Sequence, residues 1–399
     1  MVSFRGVILL YTDILYTLLL PYTERSPQIS LSTQLSVVIP TVNPGERLRE
    51  LVSELLKCEN KDFEVVINLN SPGSDFSFPN DERLKIFFEP VRIDVATNWT
   101  HAFQNSGGNY IWLIGDDDYI LAGHISEMIN IVSTSNSDCI TFNGRSYLSP
   151  TALTKDRSLA RDSHFNFGKS FNGILTSEQK EDAILNMYKF VPKSPLNLQL
   201  TIFSREVFNS IGGEFRMPFP DHIALMELLA VAGKWEIIDR RFCVIGMASS
   251  SFGHSAYSKH DRVGENYLGL GSSESNHASG NILNSVMLDW LRNLSNESPR
   301  FAKYKPSIGD FTLRQIGFNF RLWRSKEIEL MVFLLSIKEI PIKQRIFAFL
   351  SGLKLRNLRL AIGILKKRPG VEKIIGAKFD IVEFTSIKEY ADCVKGINF

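Results

Sequence analysis

Two apolar runs, Leu35-Ser36-Val37-Val38-Ile39 and Phe63-Glu64-Val65-Val66-Ile67, bracket a stretch in which Leu48, Leu51, Val52, Leu55 and Leu56 recur at helical spacing. Strand, helix and strand within about thirty residues imply a right-handed crossover onto a parallel sheet. Pro40-Thr41 closes the first run, and Asn43-Pro44-Gly45 reads as the turn into the helix. Leu84-Lys85-Ile86-Phe87-Phe88 predicts a third strand, residues 98–106 a helix, and Tyr110-Ile111-Trp112-Leu113-Ile114 a buried strand entering Gly115. A helix around Ile125 to Val132 and a strand near Cys139 to Phe142 follow. The pattern then loosens to about Phe190, where substrate-specific loops are expected.

Asp116-Asp117-Asp118 stands where the Tyr110 strand should end. In α/β sheets ligands sit in the crevice beyond the strands' carboxyl ends. Neighbouring carboxylates raise one another's pKa, so a divalent cation with a diphosphate behind it would rationalise the cluster. Asp116 and Asp118 suit that role, because alternate residues of an extended chain point the same way. The other reading is a polar turn in which Asp118 caps a helix starting near Leu121-Ala122.

A second block runs from Leu198 to Met247, with Gly212-Gly213, then Phe219-Pro220-Asp221, a helix from His222 to Ala232 and a strand from Trp235 to Asp239. Asp221 can cap its helix, and capping alone would explain the residue type. Residues 264–280, rich in Gly, Ser and Asn, read as a loop or linker. Beyond it, 286–294 and 330–337 look helical, and a basic amphipathic stretch over 338–368 could lie on an anionic membrane or form a helical subdomain with a solvated basic face.

A chain of 399 residues suffices for one large or two ordinary domains. The net charge of +2 gives no sign of nucleic-acid binding. Cys58, Cys139, Cys243 and Cys393 are far apart and lack zinc spacing, which fits reduced thiols in a cytoplasmic setting. The apolar run from Val7 to Leu20 contains Asp13 and falls short of the roughly 20 residues a span needs. Residues 1–33 are therefore expected to be an extension rather than an anchor.

From about Leu35 to Ser258 the chain resembles the family-two glycosyltransferases with the GT-A nucleotide-sugar-binding fold. Leu35 to Asn43 looks like that family's opening strand and Phe63 to Ile67 like its second; Asn98-Trp99-Thr100-His101-Ala102, then Gly108 to Asp118, is similar to the approach to its Asp-x-Asp motif. The resemblance implies an α/β, Rossmann-like, mostly parallel sheet flanked by helices over 34–263, with a nucleotide half at 34–148 and an acceptor half at 149–263. A linker over 264–281 would lead to a helical C-terminal region over 282–399. It implies a nucleotide-sugar site formed by Pro40, Thr41, Asn43, Asn68, Asn70, Asn98, Asp116 and Asp117. Mn²⁺ or Mg²⁺ would sit on Asp118 and Asp116, with His254 reaching in from a closing loop unless it is an ordinary loop histidine. Asp221 would be the catalytic base of an inverting transfer.

Two departures stand out. Asn68-Leu69-Asn70 replaces the acids that usually follow the second strand, and Pro220-Asp221 keeps only the second carboxylate of the family's Glu-Asp pair. The Gln-x-x-Arg-Trp pattern of processive synthases is absent from the sequence, so one sugar per encounter is expected. The implied setting is bacterial cell-surface polysaccharide or glycolipid synthesis, in the cytoplasm or peripheral at the inner face of the plasma membrane. The partners would be a nucleotide diphospho-sugar, a UDP-sugar first, and a glycan or lipid-linked acceptor. A sugar-phosphate nucleotidyltransferase and an inactive membrane-associated nucleotide-sugar-binding protein are the alternatives.

Overall fold

The computed structural model describes residues 33–42, 44–73, 77–150, 158–163, 172–191, 197–247, 280–324, 326, 328–355, 357–358, 371–374, 377–382 and 384–394. Residues 1–32, the 264–279 stretch and residues 359–370, on which several expectations fall, lie outside them. Eleven strands form one sheet: β1 (Leu35–Thr41), β2 (Phe63–Leu69), β3 (Leu84–Phe88), β4 (Tyr110–Leu113), β5 (Cys139–Leu148), β6 (Ser158–Ser163), β7 (Gly173–Ile174), β8 (Thr201–Ser204), β9 (Trp235–Met247), β10 (Val371–Ile374) and β11 (Ala377–Val382). The order is β10-β11-β6-β5-β8-β4-β1-β2-β3, with β9 on β5 and β7 on β9. β3-β2-β1-β4 is fully parallel. β1 to β5, β9 and β11 point one way, and β6, β7, β8 and β10 the other.

Helices cover both faces because the inner strands alternate two apolar sets. Leu35, Val37 and Ile39 pack with α1 (Glu46–Leu56) and α3 (Ala122–Thr134) on one face. Val38 and Val66 join the other, beneath α2 (Val95–Gln104), α4 (Ser177–Tyr188), α5 (Arg205–Asn209) and α6 (Pro220–Val231). β5 and β9 run well past the expected Phe142 and Asp239, and much of the loosely patterned stretch to Phe190 is β6, β7 and α4.

The boundary expected near 264–281 does not separate two cores. α7 (Ile282–Glu297) and α8 (Ile308–Arg324) follow, and Leu288, Leu291, Phe301 and Phe311 share the core of the α2 face. Ser295 Oγ donates to Tyr188 Oη (3.0 Å), and Arg314 Nε to Phe190 O (3.0 Å). The region is helical through α9 (Leu330–Glu339) and α10 (Ile342–Gly352), and then β10 and β11 return to the sheet. The last helix, α11 (Ile387–Val394), packs Ile387, Tyr390 and Ala391 against Tyr119, Tyr147 and Val244.

Candidate active site

Parallel β1, β2 and β4 bring their carboxyl ends to one edge. Val38 pairs with Leu113, so the register carried three residues further sets Thr41 beside Asp116. The Thr41 hydroxyl donates to Asp116 Oδ2. Residues 115–118 form a tight turn closed by Asp118 N donating to Gly115 O (3.3 Å). A Cβ on Gly115 would stand 2.7 Å from Asp117 Oδ1, so a larger residue there would have to displace that carboxylate.

Asp118 is turned inward and only 2% exposed. Its Oδ2 accepts from Gly115 N (2.7 Å) and its Oδ1 from Gly246 N (3.0 Å). It therefore builds the turn rather than capping α3, whose N-cap is Leu121; Ala122 N donates instead to Glu54 Oε1 (3.2 Å). β9 passes so close that a Cβ on Gly246 would lie 1.6 Å from Asp117 O, and Tyr119 exchanges both backbone hydrogen bonds with Val244 (2.9 Å each). Strand β9 and, behind it, α11 thus clamp the acidic turn. The sequence reading missed Gly246, although a glycine inside a strand is itself a sign of close backbone approach.

The electrostatics follow from this burial. Desolvation, then the Asp117 charge, raises the Asp116 carboxyl to about 6, against the Thr41 hydrogen bond and the charge of Arg47. Burial and Asp117 push Asp118 well above the carboxylate range, against its two amide donors. Arg47, exposed in the first turn of α1, is a cation near the site that the sequence reading did not single out.

The asparagines lie elsewhere than expected. Asn68 is 0% exposed, and its Nδ2 donates to Glu89 Oε1 (2.7 Å) and Asn98 Oδ1 (2.8 Å) while its Oδ1 accepts from Asn105 Nδ2 (3.3 Å). Asn98 is 1% exposed in the same network, which His101 enters through Glu89 (2.8 Å). The two amides thus meet each other between β2 and α2, inside the fold. Asn70 clamps Ile93 at both its N–H (2.9 Å) and its carbonyl (2.8 Å), fixing the chain into α2, and Pro40 is buried in β1. Asn43 and His254 lie outside the described residues.

Asp221 reaches the same edge by another route. β8 runs opposite to β4, so Ser204 sits at the amino edge beside Tyr110. The chain climbs past Thr100, whose hydroxyl accepts from Phe215 N (2.9 Å), and α6 then descends to Trp235 at the amino end of β9. Its first turn, carrying Asp221, is therefore directed toward the carboxyl edge on the α2 face. Asp221 is the second helical residue after the N-cap Phe219, and His222 Nδ1 lies 2.9 Å from its Oδ1. Burial alone would raise the Asp221 pKa, but the adjacent His222 charge, with backbone donors, holds it below the ordinary value. In turn, burial works against the His222 cation and Asp221 outweighs it, raising the His222 pKa.

No group of three His, Cys, Asp or Glu side chains converges as a metal cage among the described residues. The donor set does fit a cation shared with phosphate oxygens, for which one or two carboxylates suffice. Asp116 offers Oδ1, the oxygen that Thr41 does not engage. Asp118 already accepts one amide N–H on each oxygen, so Asp116 is the less committed of the two.

Residues 36–190 match the glycosyl transferase family 2. Glycosyltransferase GlyG of Streptococcus pneumoniae is 21% identical over 214 residues, 51% of this chain and 67% of that protein. A crystal structure of S. aureus TarS 1-349 is 15% identical with a TM-score of 0.43, covering 73% of this chain and 87% of that one. Its complex with UDP-GlcNAc gives 15%, 0.44, 73% and 88%.

Proposed function

We propose that this chain, whose residues 36–190 match the glycosyl transferase family 2, moves one sugar per encounter from a nucleotide diphospho-sugar to an acceptor hydroxyl, with inversion. The observation that carries this is the acidic turn held at the carboxyl edge by Thr41 and β9, with Asp221 directed to that edge from α6. The acceptor oxygen attacks the anomeric carbon as the bond to the diphosphate breaks. Its proton passes to Asp221 Oδ2, the oxygen not paired with His222. A Mn²⁺ or Mg²⁺ held by Asp116 and the donor's phosphate oxygens would supply Lewis-acid stabilisation of the leaving diphosphate. Arg47 would add a second cation on that side. With Asn68 and Asn98 committed inside the fold, the base is read by other groups; a UDP-sugar is the first donor to try.

The acceptor is proposed as a glycan or lipid-linked sugar at the cytoplasmic face of a bacterial membrane. No described helix is long and apolar enough to cross one.

The test is a thermal-shift screen of UDP-, GDP- and dTDP-sugars with Mn²⁺, followed by nucleoside diphosphate release from the best binder. Asp221→Asn is expected to lower turnover about 10²- to 10⁴-fold with donor binding kept. His222→Gln should move the acid limb of the pH–rate profile upward, because it removes the cation that depresses Asp221 while burial remains. Undiminished turnover in Asp221→Asn would exclude it as the base. Pyrophosphate release from a nucleoside triphosphate and a sugar phosphate would instead identify a nucleotidyltransferase.

A further inference from the structure

Fourteen of the seventeen exposed large apolar side chains among the described residues lie between Phe320 and Leu358. They concentrate on α9 and α10, where Met331 and Phe349 are 64% and 67% exposed and Leu334, Leu335, Ile346 and Leu350 accompany them. α10 sits inside out for a helix in water. The residues it buries are Ala348 and Ser351, small enough to lie close on α8, where a Cβ on Gly309 would stand 2.6 Å from Phe347 O and Ser351 Oγ. Its bulky residues face away from the core. α9 likewise buries only Phe333 and Ser336. Large apolar side chains exposed in such number on two successive helices mark an interaction surface.

Charge selects the occupant. From Ile340 to Val371 the sequence contains no Asp or Glu and eight Lys or Arg. Lys338, at the end of α9, and Lys343, in the first turn of α10, are exposed beside the apolar residues, whereas Lys354 is paired with Asp310 (2.9 Å). A second copy of this chain would bring cations against cations. Anionic lipid headgroups over an apolar interior complement both features. We infer that the exposed face of α9 and α10 docks on the surface of an anionic bilayer, its apolar side chains entering the headgroup boundary and its lysines pairing with phosphates. The footprint begins at Leu330, ahead of the basic stretch from residue 338, and it does not depend on the sugar chemistry.

The test is co-sedimentation of the full chain with phosphatidylcholine vesicles with and without phosphatidylglycerol. Binding is expected with phosphatidylglycerol, falling as salt is raised. Ile346→Asp with Phe349→Asp should lower the bound fraction at least tenfold with the unfolding midpoint kept, and Lys338→Glu with Lys343→Glu should remove the preference for phosphatidylglycerol. Equal binding by the parent and the Ile346/Phe349 variant would overturn the assignment, as would equal binding to both vesicle types. Absence of vesicle binding, with a parent dimer that the same variant splits, would give the face to a second copy and also overturn it.

Discussion

The turn at 115–118 and the α9–α10 face break the usual distribution of polar and apolar groups in opposite senses. The turn buries carboxylates and the helices expose large hydrophobes. Both are held by the rest of the fold. Gly246 and Val244 lock the turn from β9, and Gly309 and Ser351 let α10 lie close on α8. Each arrangement costs free energy in the isolated chain and is rationalised by a counterpart, a cation with a diphosphate for one and a lipid surface for the other. The difference lies in rigidity: the turn is wired by hydrogen bonds to named backbone atoms, whereas the helix face is specified only by its apolarity and sign of charge.

Breaking the clamp on the turn should have the largest effect. Gly246→Ala drives a Cβ into Asp117 O and is expected to cost about 3 kcal/mol in urea unfolding and to abolish transfer. A stable, active Gly246→Ala protein would show that β9 does not position the acids. Next, Asp118→Asn sets a donor against one of two amide donors and should cost about 1–3 kcal/mol, together with activity. Asp116→Asn, which buries less and among the described residues accepts a side-chain hydrogen bond from Thr41 alone, should keep the fold while losing metal-dependent donor binding. If the two variants behaved alike, the division of the triplet into a builder and a ligand would fail.

A smaller effect comes from pH. Asp116 has a folded pKa of about 6 against an ordinary 3.8, so its protonated form favours the folded chain. That contribution is present at low pH and lost as pH rises through about 6. Metal-free protein should therefore lose stability over that window, and Mn²⁺ should restore it near neutral pH; a flat profile would remove the unbalanced carboxyl from the site. The smallest expected change is at the other region. Ile346→Ser or Phe349→Ser should alter unfolding by no more than about 0.5 kcal/mol, because neither side chain is in the core.

Much of the sheet was legible because its signal is local. Runs such as Leu35 to Ile39 and the spacing of Leu48, Leu51, Val52 and Leu55 state strand and helix without reference to anything distant. The late strands were not legible in the same way. β11 pairs with β6, some two hundred residues earlier, and β10 joins the sheet through β11; no periodicity within residues 371–382 announces such a partner. Asn68 and Asn98 illustrate the limit at the site. Their type suits a base edge, but the pairing of β2 with β3 and the packing of α2 bring Asn68 against Glu89 and Asn98 against Asn68.

By itself the sequence determined the βαβ entry, the placing of three acids at a strand's end, and a C-terminal stretch both apolar and basic, since these depend on neighbours along the chain. Tertiary structure alone decided which acid faces inward. Asp118 is committed by an amide 128 residues away, on a strand that approaches only because Gly246 has no side chain. It also decided that the apolar side of α10 faces out, because the small residues of the same helix are the ones that fit against α8.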